Sequence, residues 1–295
     1  MSPSSRIGFA PLATIDVGNT LGEGVVWQAQ GSAFLWTDIE GRSLHRLEWP
    51  GLRHSRFDLP YRLCSFAITR DETEIVAAFE MGIAYYDFAD GSIDWLARPE
   101  LPVGVRFNDG RCDRTGCFVV GTMVEEPDAI APSASGTLAR LEPSGTLTTL
   151  LSGISISNAL CWSPDGTKMY HADSPTGQLR AYDYPSVKPT GVGLSRYDGG
   201  MVPDGACVDA EGRIWVAAWG GSAVIVHSPD GAILDRIPVP ARQPTCVAFG
   251  GWDLDILAVT SATQGIAPQD RQKDGALHLF RVEARGILEV TADYR

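Results

Sequence analysis

Four side chains with oxygen ligands, Glu23, Asn108, Asn158 and Asp204, stand ten or eleven residues ahead of the same point in a recurring unit, namely Phe34, Phe118, Met169 and Ile214. Asp204 lies in VPDGACV, which holds one of three Pro-Asp-Gly triplets. The other two, SPDGTK at 163–168 and SPDGAI at 228–233, fall between apolar runs, where Asp-Gly favours a tight hairpin. The Asp204 copy has its own turn further on, DAEGR, so Asp204 is free for another task. Taken singly, each of the four suits a turn or a cap. Their shared register favours a common site. Two carboxylates facing across a narrow space repel unless a cation lies between them. Two carboxylates and an amide oxygen form a hard site suited to Ca²⁺, Mg²⁺ or Mn²⁺, with Zn²⁺ or Fe²⁺ as alternatives. Three protein ligands leave positions open for water and substrate, the arrangement of a catalytic metal.

What must position them is a repeat. A short apolar run, a polar turn and a second run rich in β-branched and aromatic residues recur as VVW-QAQGS-AFLWTDI, FAI-TRDETE-IVAAFE and RC-DRTG-CFVVGTM. The pattern continues as ALCW-SPDGTK-MYHAD, ACV-DAEGR-IWVAAW and CVAFGGWDLDILAVTSA. A third strand-like segment follows most copies, as in GIAYYDF and GQLRAYDY. Marking each copy at Glu23, Cys64, Asn108, Asn158, Asp204 and Thr245 gives intervals of 41, 44, 50, 46 and 41 residues. Units of that length with three or four strands indicate an all-β fold, a six-bladed β-propeller. A sandwich predicts short strands but not the same unit six times. The longest interval absorbs VEEPDAIAPSASG at 124–136, which reads as a loop. With no linker in view, residues 1–295 read as one domain, 1–14 forming a disordered or extended tail. Ring closure is expected to pair FAPLATIDV near the N-terminus with ILEVTADY near the C-terminus.

The bulk numbers exclude some partners. A net charge of −12 with no basic cluster argues against nucleic acid and against an anionic membrane surface, while it can draw in a cation. No apolar run approaches the roughly 20 residues that span a bilayer. The N-terminus lacks a basic segment followed by an apolar core, so no secretory leader is expected. The six cysteines sit mostly in apolar runs and show no CxxC, which suggests buried reduced thiols and a cytoplasmic protein. Cys112 and Cys117 flank the turn DRTG and could face each other across it. A monomer or weak homo-oligomer is the expected state.

The stretches LGEGVVW, RFNDGRCD, VVGTM, ISNALCWSPDG and VPDGACVD, in this order, resemble the SMP-30/gluconolactonase/regucalcin-like family of six-bladed propellers. The resemblance runs from about residue 16 to 290. It implies a divalent-metal-dependent hydrolase acting on a small sugar lactone. Residue by residue, it implies metal ligation by Glu23, Asn158 and Asp204, with Asp204 also the general base. Arg106 and Asn108 would bind substrate, Asn108 close to the metal. Family members often place an acidic residue after the GTM motif; Glu126 is assigned that substrate-binding role, and Glu125 beside it is left without one. Asp109 reads equally as a site neighbour and as a turn residue. The pocket segments CSFAI and 124–136 do not identify a particular sugar.

Other chemistries find less support. There is no GxSxG elbow, no HExxH, no phosphate loop and no dinucleotide fingerprint. His171 is the one histidine near the register of the site. Trp215 and Trp219 read as packing between blades, with sugar stacking as the second reading, and Tyr61 and Tyr170 stand similarly. A non-catalytic calcium-binding propeller and an esterase or phosphotriesterase-like hydrolase are the competing functions. Chelator-sensitive lactone hydrolysis separates the first from an enzyme, and aryl ester turnover identifies the second.

Overall fold

The computed structural model describes residues 7–125, 136–188, 190–292 and 294–295. Within them, 24 strands form six antiparallel four-stranded sheets arranged in a ring, a six-bladed β-propeller. Blade one is β2 (Gly22–Gln28), β3 (Ala33–Asp38), β4 (Ser43–Glu48) and β5 (His54–Asp58); blade two is β6 (Leu63–Ile68), β7 (Glu74–Phe79), β8 (Gly82–Asp87) and β9 (Ile93–Ala97). Blade three is β10 (Val105–Cys112), β11 (Phe118–Val124), β12 (Gly136–Leu141) and β13 (Leu147–Ile154). Blade four is β14 (Ser157–Trp162), β15 (Lys168–Asp173), β16 (Gln178–Asp183) and β17 (Val192–Arg196). Blade five is β18 (Val202–Val208), β19 (Ile214–Trp219), β20 (Ala223–His227) and β21 (Ile233–Pro238). Blade six joins β22 (Pro244–Gly250), β23 (Ile256–Ser261) and β24 (Leu277–Val282) to β1 (Phe9–Ile15) from the other end of the chain.

Burial falls from the axis outward. Inner strands such as β6, β14 and β22 are buried at every residue, because both faces meet neighbouring blades, whereas outer strands such as β5 and β17 are half-exposed. Continuous apolar runs on the inner and middle strands are the sequence consequence. Between blades five and six, Trp215 packs edge-on against Phe249, and its indole N–H reaches Asp209 Oδ2 at 2.8 Å. No helix among the described residues is long and apolar enough to cross a membrane.

The ring closes differently from the sequence expectation. The partner of β1 is LHLFRV at 277–282, not ILEVTADY. Among the described residues that last segment carries no strand. It runs across other blades, where Ala292 bridges Thr69 and the Tyr294 hydroxyl donates to Leu141 O at 3.1 Å, and Gly286 just before it bridges Asp209. A strand was already available at β24, so the later apolar residues pack instead against the bases of blades two and three.

Two of the Pro-Asp-Gly triplets are hairpin turns. Asp165 Oδ1 accepts from Thr167 N at 3.0 Å and from the Ser163 hydroxyl at 2.6 Å, and Asp230 accepts from the Ser228 hydroxyl. Asp204 lies within β18 itself. The cysteines are all free thiols; five are buried and Cys117 is partly exposed.

Candidate active site at the channel mouth

Each inner strand carries one extra residue relative to its neighbour, and the marked positions fall at these bulges. Asn108 and Asp109 together oppose Gly121, Asp204 and Gly205 oppose Ala217, and Thr245 and Cys246 oppose Thr260. A bulge re-aims side chains that a regular strand would alternate between faces. The six positions are not strictly equivalent, however. Glu23 and Asn158 sit one residue ahead of their bulges and are followed by left-handed residues, Gly24 at φ +59° and Ala159 at φ +56°. Blades one and four, opposite each other in the ring, thus share one geometry, and blades three and five share another. Gly205 has its own constraint, since a Cβ there would stand 2.7 Å from Cys246 Sγ.

These bulges bring Glu23, Arg106, Asn108, Asn158 and Asp204 to one cavity of about 360 Å³. Its remaining wall includes Leu21, Met123, Ile156, Val202 and Trp219. Asn108 Nδ2 donates to Asn158 Oδ1 at 3.1 Å and to Ser157 O at 2.9 Å. Asn158 Nδ2 in turn donates to Ser174 Oγ at 2.9 Å, and that hydroxyl donates to Pro203 O at 2.7 Å. Arg106 donates through one terminal nitrogen to Asn108 Oδ1 at 2.9 Å and Phe107 O at 2.8 Å, and through Nε to Glu125 Oε1 at 2.8 Å.

The electrostatics are strained by design of the donor set. Burial, then repulsion from Asp109, pushes the Glu23 carboxyl up to about 8. Burial, then Glu23 and Asp109, raises Asp204 well above the usual carboxylate range. Glu23 receives a hydrogen bond from the Gly24 N–H at 3.1 Å, and neither it nor Asp204 is ion-paired to an arginine or lysine among the described residues. Either protons or a cation must neutralise the pair. Among the described residues no cluster of three or more His, Cys, Asp or Glu could hold an ion, so a cation here would rely on amide and water oxygens beside the two carboxylates. Such an all-oxygen set suits Ca²⁺, Mg²⁺ or Mn²⁺ better than a softer ion.

The other marked residues do structural work. Thr245 donates to Gly22 O, and Cys64 lies against Arg62 O and the Arg106 guanidinium. Asp109 is not in a turn; its Oδ2 takes the Leu160 N–H of the next blade at 3.0 Å. His171 stands opposite the blade-four bulge, shares a 2.9 Å hydrogen bond with Ser157 Oγ and buttresses the strand bearing Asn158. Trp215 is core, whereas Trp219 lines the cavity. Tyr170 is buried between blades, and Tyr61 packs on Phe79 and Trp95; neither lines the cavity.

Glu126 lies outside the described residues. Its neighbour Glu125, left unassigned from sequence, lines the cavity and bridges Arg106 to Arg62. Ser174 and Gln264 also line it and were not singled out from sequence, whereas Trp219 lines it as its second reading, sugar stacking, allowed. Ser174 and Gln264 follow middle strands, where the repeat gives no register signal.

Comparison with known proteins identifies the family. Residues 21–263 match the model of the SMP-30/Gluconolactonase/LRE-like region. The chain is 38% identical over 259 residues to an L-arabinolactonase of Azospirillum brasilense, covering 85% of this chain and 84% of that protein. It is 34% identical over 283 residues to a 6-deoxy-6-sulfogluconolactonase of Pseudomonas putida, covering 92% and 94%. The crystal structure of a calcium-binding protein, regucalcin, from Agrobacterium tumefaciens superposes with a TM-score of 0.86 at 31% identity, covering 97% of this chain and 98% of that one. The chain belongs to the SMP-30/gluconolactonase/LRE-like family.

Proposed function

We propose that this protein is a divalent-cation-dependent lactonase that opens a small sugar lactone to its hydroxy acid. The observation that carries the reading is the convergence of Glu23, Asn158 and Asp204 with Arg106 and Asn108 on one open cavity. The relatives named as lactonases support the reaction class.

Glu23, Asn158 and Asp204 would hold the ion. When bound, it would supply Lewis-acid polarisation of the lactone carbonyl and favour the negative charge that develops there, an effect worth several kcal/mol. Asp204 takes the proton of the attacking water as general base. The second terminal nitrogen of Arg106 has no partner among the described residues, so it is free to donate to the substrate. Asn108, fixed by Ser157 O and Arg106, adds a second oriented polar group, and together they set the angle of attack. Trp219 offers an apolar face to the sugar ring, and Met123 and Ile156 narrow the space left for water.

The test is turnover of pentono- and hexonolactones against aryl esters and phosphotriesters, followed with a pH indicator. Acid release from at least one lactone, well above the ester rates, is the expected result. Ester turnover with every lactone inert would transfer the site to a different hydrolase class.

A further inference from the structure

Arg62 precedes β6 and is not among the residues lining the cavity, yet it gathers the carboxylates of Glu40, Glu80 and Glu125. Its Nε donates to Glu80 at 2.6 Å, one terminal nitrogen donates to Glu40 at 3.2 Å and to Glu125 Oε1 at 2.8 Å, and the other donates to Glu125 Oε2 at 2.9 Å. Both oxygens of Glu125 are therefore held from one side. The Nε of Arg106 then meets Oε1 alone. Burial by itself would raise the Glu125 carboxyl, but the hydrogen bonds from Arg62 and Arg106 keep it below its usual range.

This sharing limits what Arg106 gives to Glu125. A carboxylate and a guanidinium left to themselves form a two-bond fork. Here Arg62 already takes that fork, so Arg106 spends only Nε on Glu125 and one terminal nitrogen on Phe107 O and Asn108 Oδ1. We propose that Arg62 is a positioning residue: by occupying both oxygens of Glu125 it keeps Arg106 from closing a fork of its own, and so leaves an Arg106 N–H aimed at the substrate. The inference rests on the reading of the cavity as a lactone site. The chain Arg62–Glu125–Arg106–Asn108 carries this constraint to the substrate side of the cavity, while Asn158 of the proposed cation site keeps its own anchor on Ser174.

Removing Arg62 also exposes Glu40 and Glu80 to each other, so two variants are needed. Lys in place of Arg62 keeps the charge but cannot bridge both oxygens of Glu125 while reaching Glu80. Arg62→Lys should raise the KM for the best lactone about tenfold, leave kcat within about threefold and leave divalent-ion affinity unchanged. Glu125→Gln should raise KM similarly, and the double variant should lose no more than either alone. Wild-type KM in Arg62→Lys, or additive effects in the double variant, would overturn the positioning role while the lactonase reading stood. Equal losses in kcat, ion affinity and melting temperature would reduce Arg62 to a structural residue. A wild-type protein inert to all lactones would overturn the functional reading itself, and this inference with it.

Discussion

Asn108 Nδ2 donates to Asn158 Oδ1 across 3.1 Å, and this bond between blades three and four fixes which way both amides point. The direction propagates. Ser174 gives its proton to Pro203 O and must therefore accept from Asn158 Nδ2, which turns the amide oxygen of Asn158 toward Asn108. That oxygen has a second lone pair for a cation.

Ser174→Ala removes the acceptor that orients Asn158. Divalent-ion affinity, measured by calorimetric titration, should fall about tenfold, the scale of one hydrogen bond, while the fold is retained. Unchanged affinity would show that Asn158 needs no such support.

Asp204→Asn replaces a buried carboxyl with an amide at nearly constant shape. Lactone turnover should vanish. In excess chelator the variant should melt roughly 2–4 °C above the wild type, because the amide, unlike the Asp204 carboxyl, need not take up a proton to be buried beside Glu23. Adding divalent ion should reverse the order, since only the wild type gains binding energy. Melting curves in both media test the sign.

The two tryptophans of IWVAAW should separate cleanly. Trp215→Ala leaves a cavity beside Phe249 and removes one of the hydrogen bonds to Asp209, costing about 3–5 kcal/mol of stability. Trp219→Ala touches the cavity wall and should raise KM with a change in melting temperature of only a few degrees. Denaturant midpoints and steady-state kinetics distinguish them.

The buried histidines should cost stability below about pH 6.5, against the opposite contribution of Glu23 and Asp204, whose raised carboxyls take up protons in the folded state. Burial lowers His45, His227 and His278 to about 4 and His171 to about 3. These folded values lie below the unfolded value, so between them the unfolded chain binds more protons, and stability present above pH 6.5 is lost as pH falls toward 4. Each ring costs on the order of 1–2 kcal/mol by pH 5. Denaturant unfolding at pH 7, 6 and 5 should show the wild type losing more stability on acidification than a His278→Gln variant, and identical pH profiles would contradict the assignment.

The periodicity of the apolar runs and turns carried the six blades, because every blade must bury two faces against its neighbours. The same spacing carried Glu23, Asn108, Asn158 and Asp204 to one mouth. It could not show that Glu23 and Asn158 reach the site through a different bulge, since only the left-handed backbone at Gly24 and Ala159 reveals this. Nor did it reveal Glu125: two adjacent glutamates read alike, and only the hydrogen bonds from Arg62 and Arg106 single out Glu125. The strand partner of β1 escaped for a related reason. LHLFRV and ILEVTADY have similar strand propensity, and tertiary packing chose between them.

The most direct test strips the protein with chelator and titrates Ca²⁺, Mg²⁺ or Mn²⁺ back while lactone hydrolysis is followed. The account requires activity to fall to background, then return and saturate at one ion per chain in the wild type but not in Asp204→Asn. Full hydrolysis by the stripped protein, or equal recovery in the variant, would contradict it.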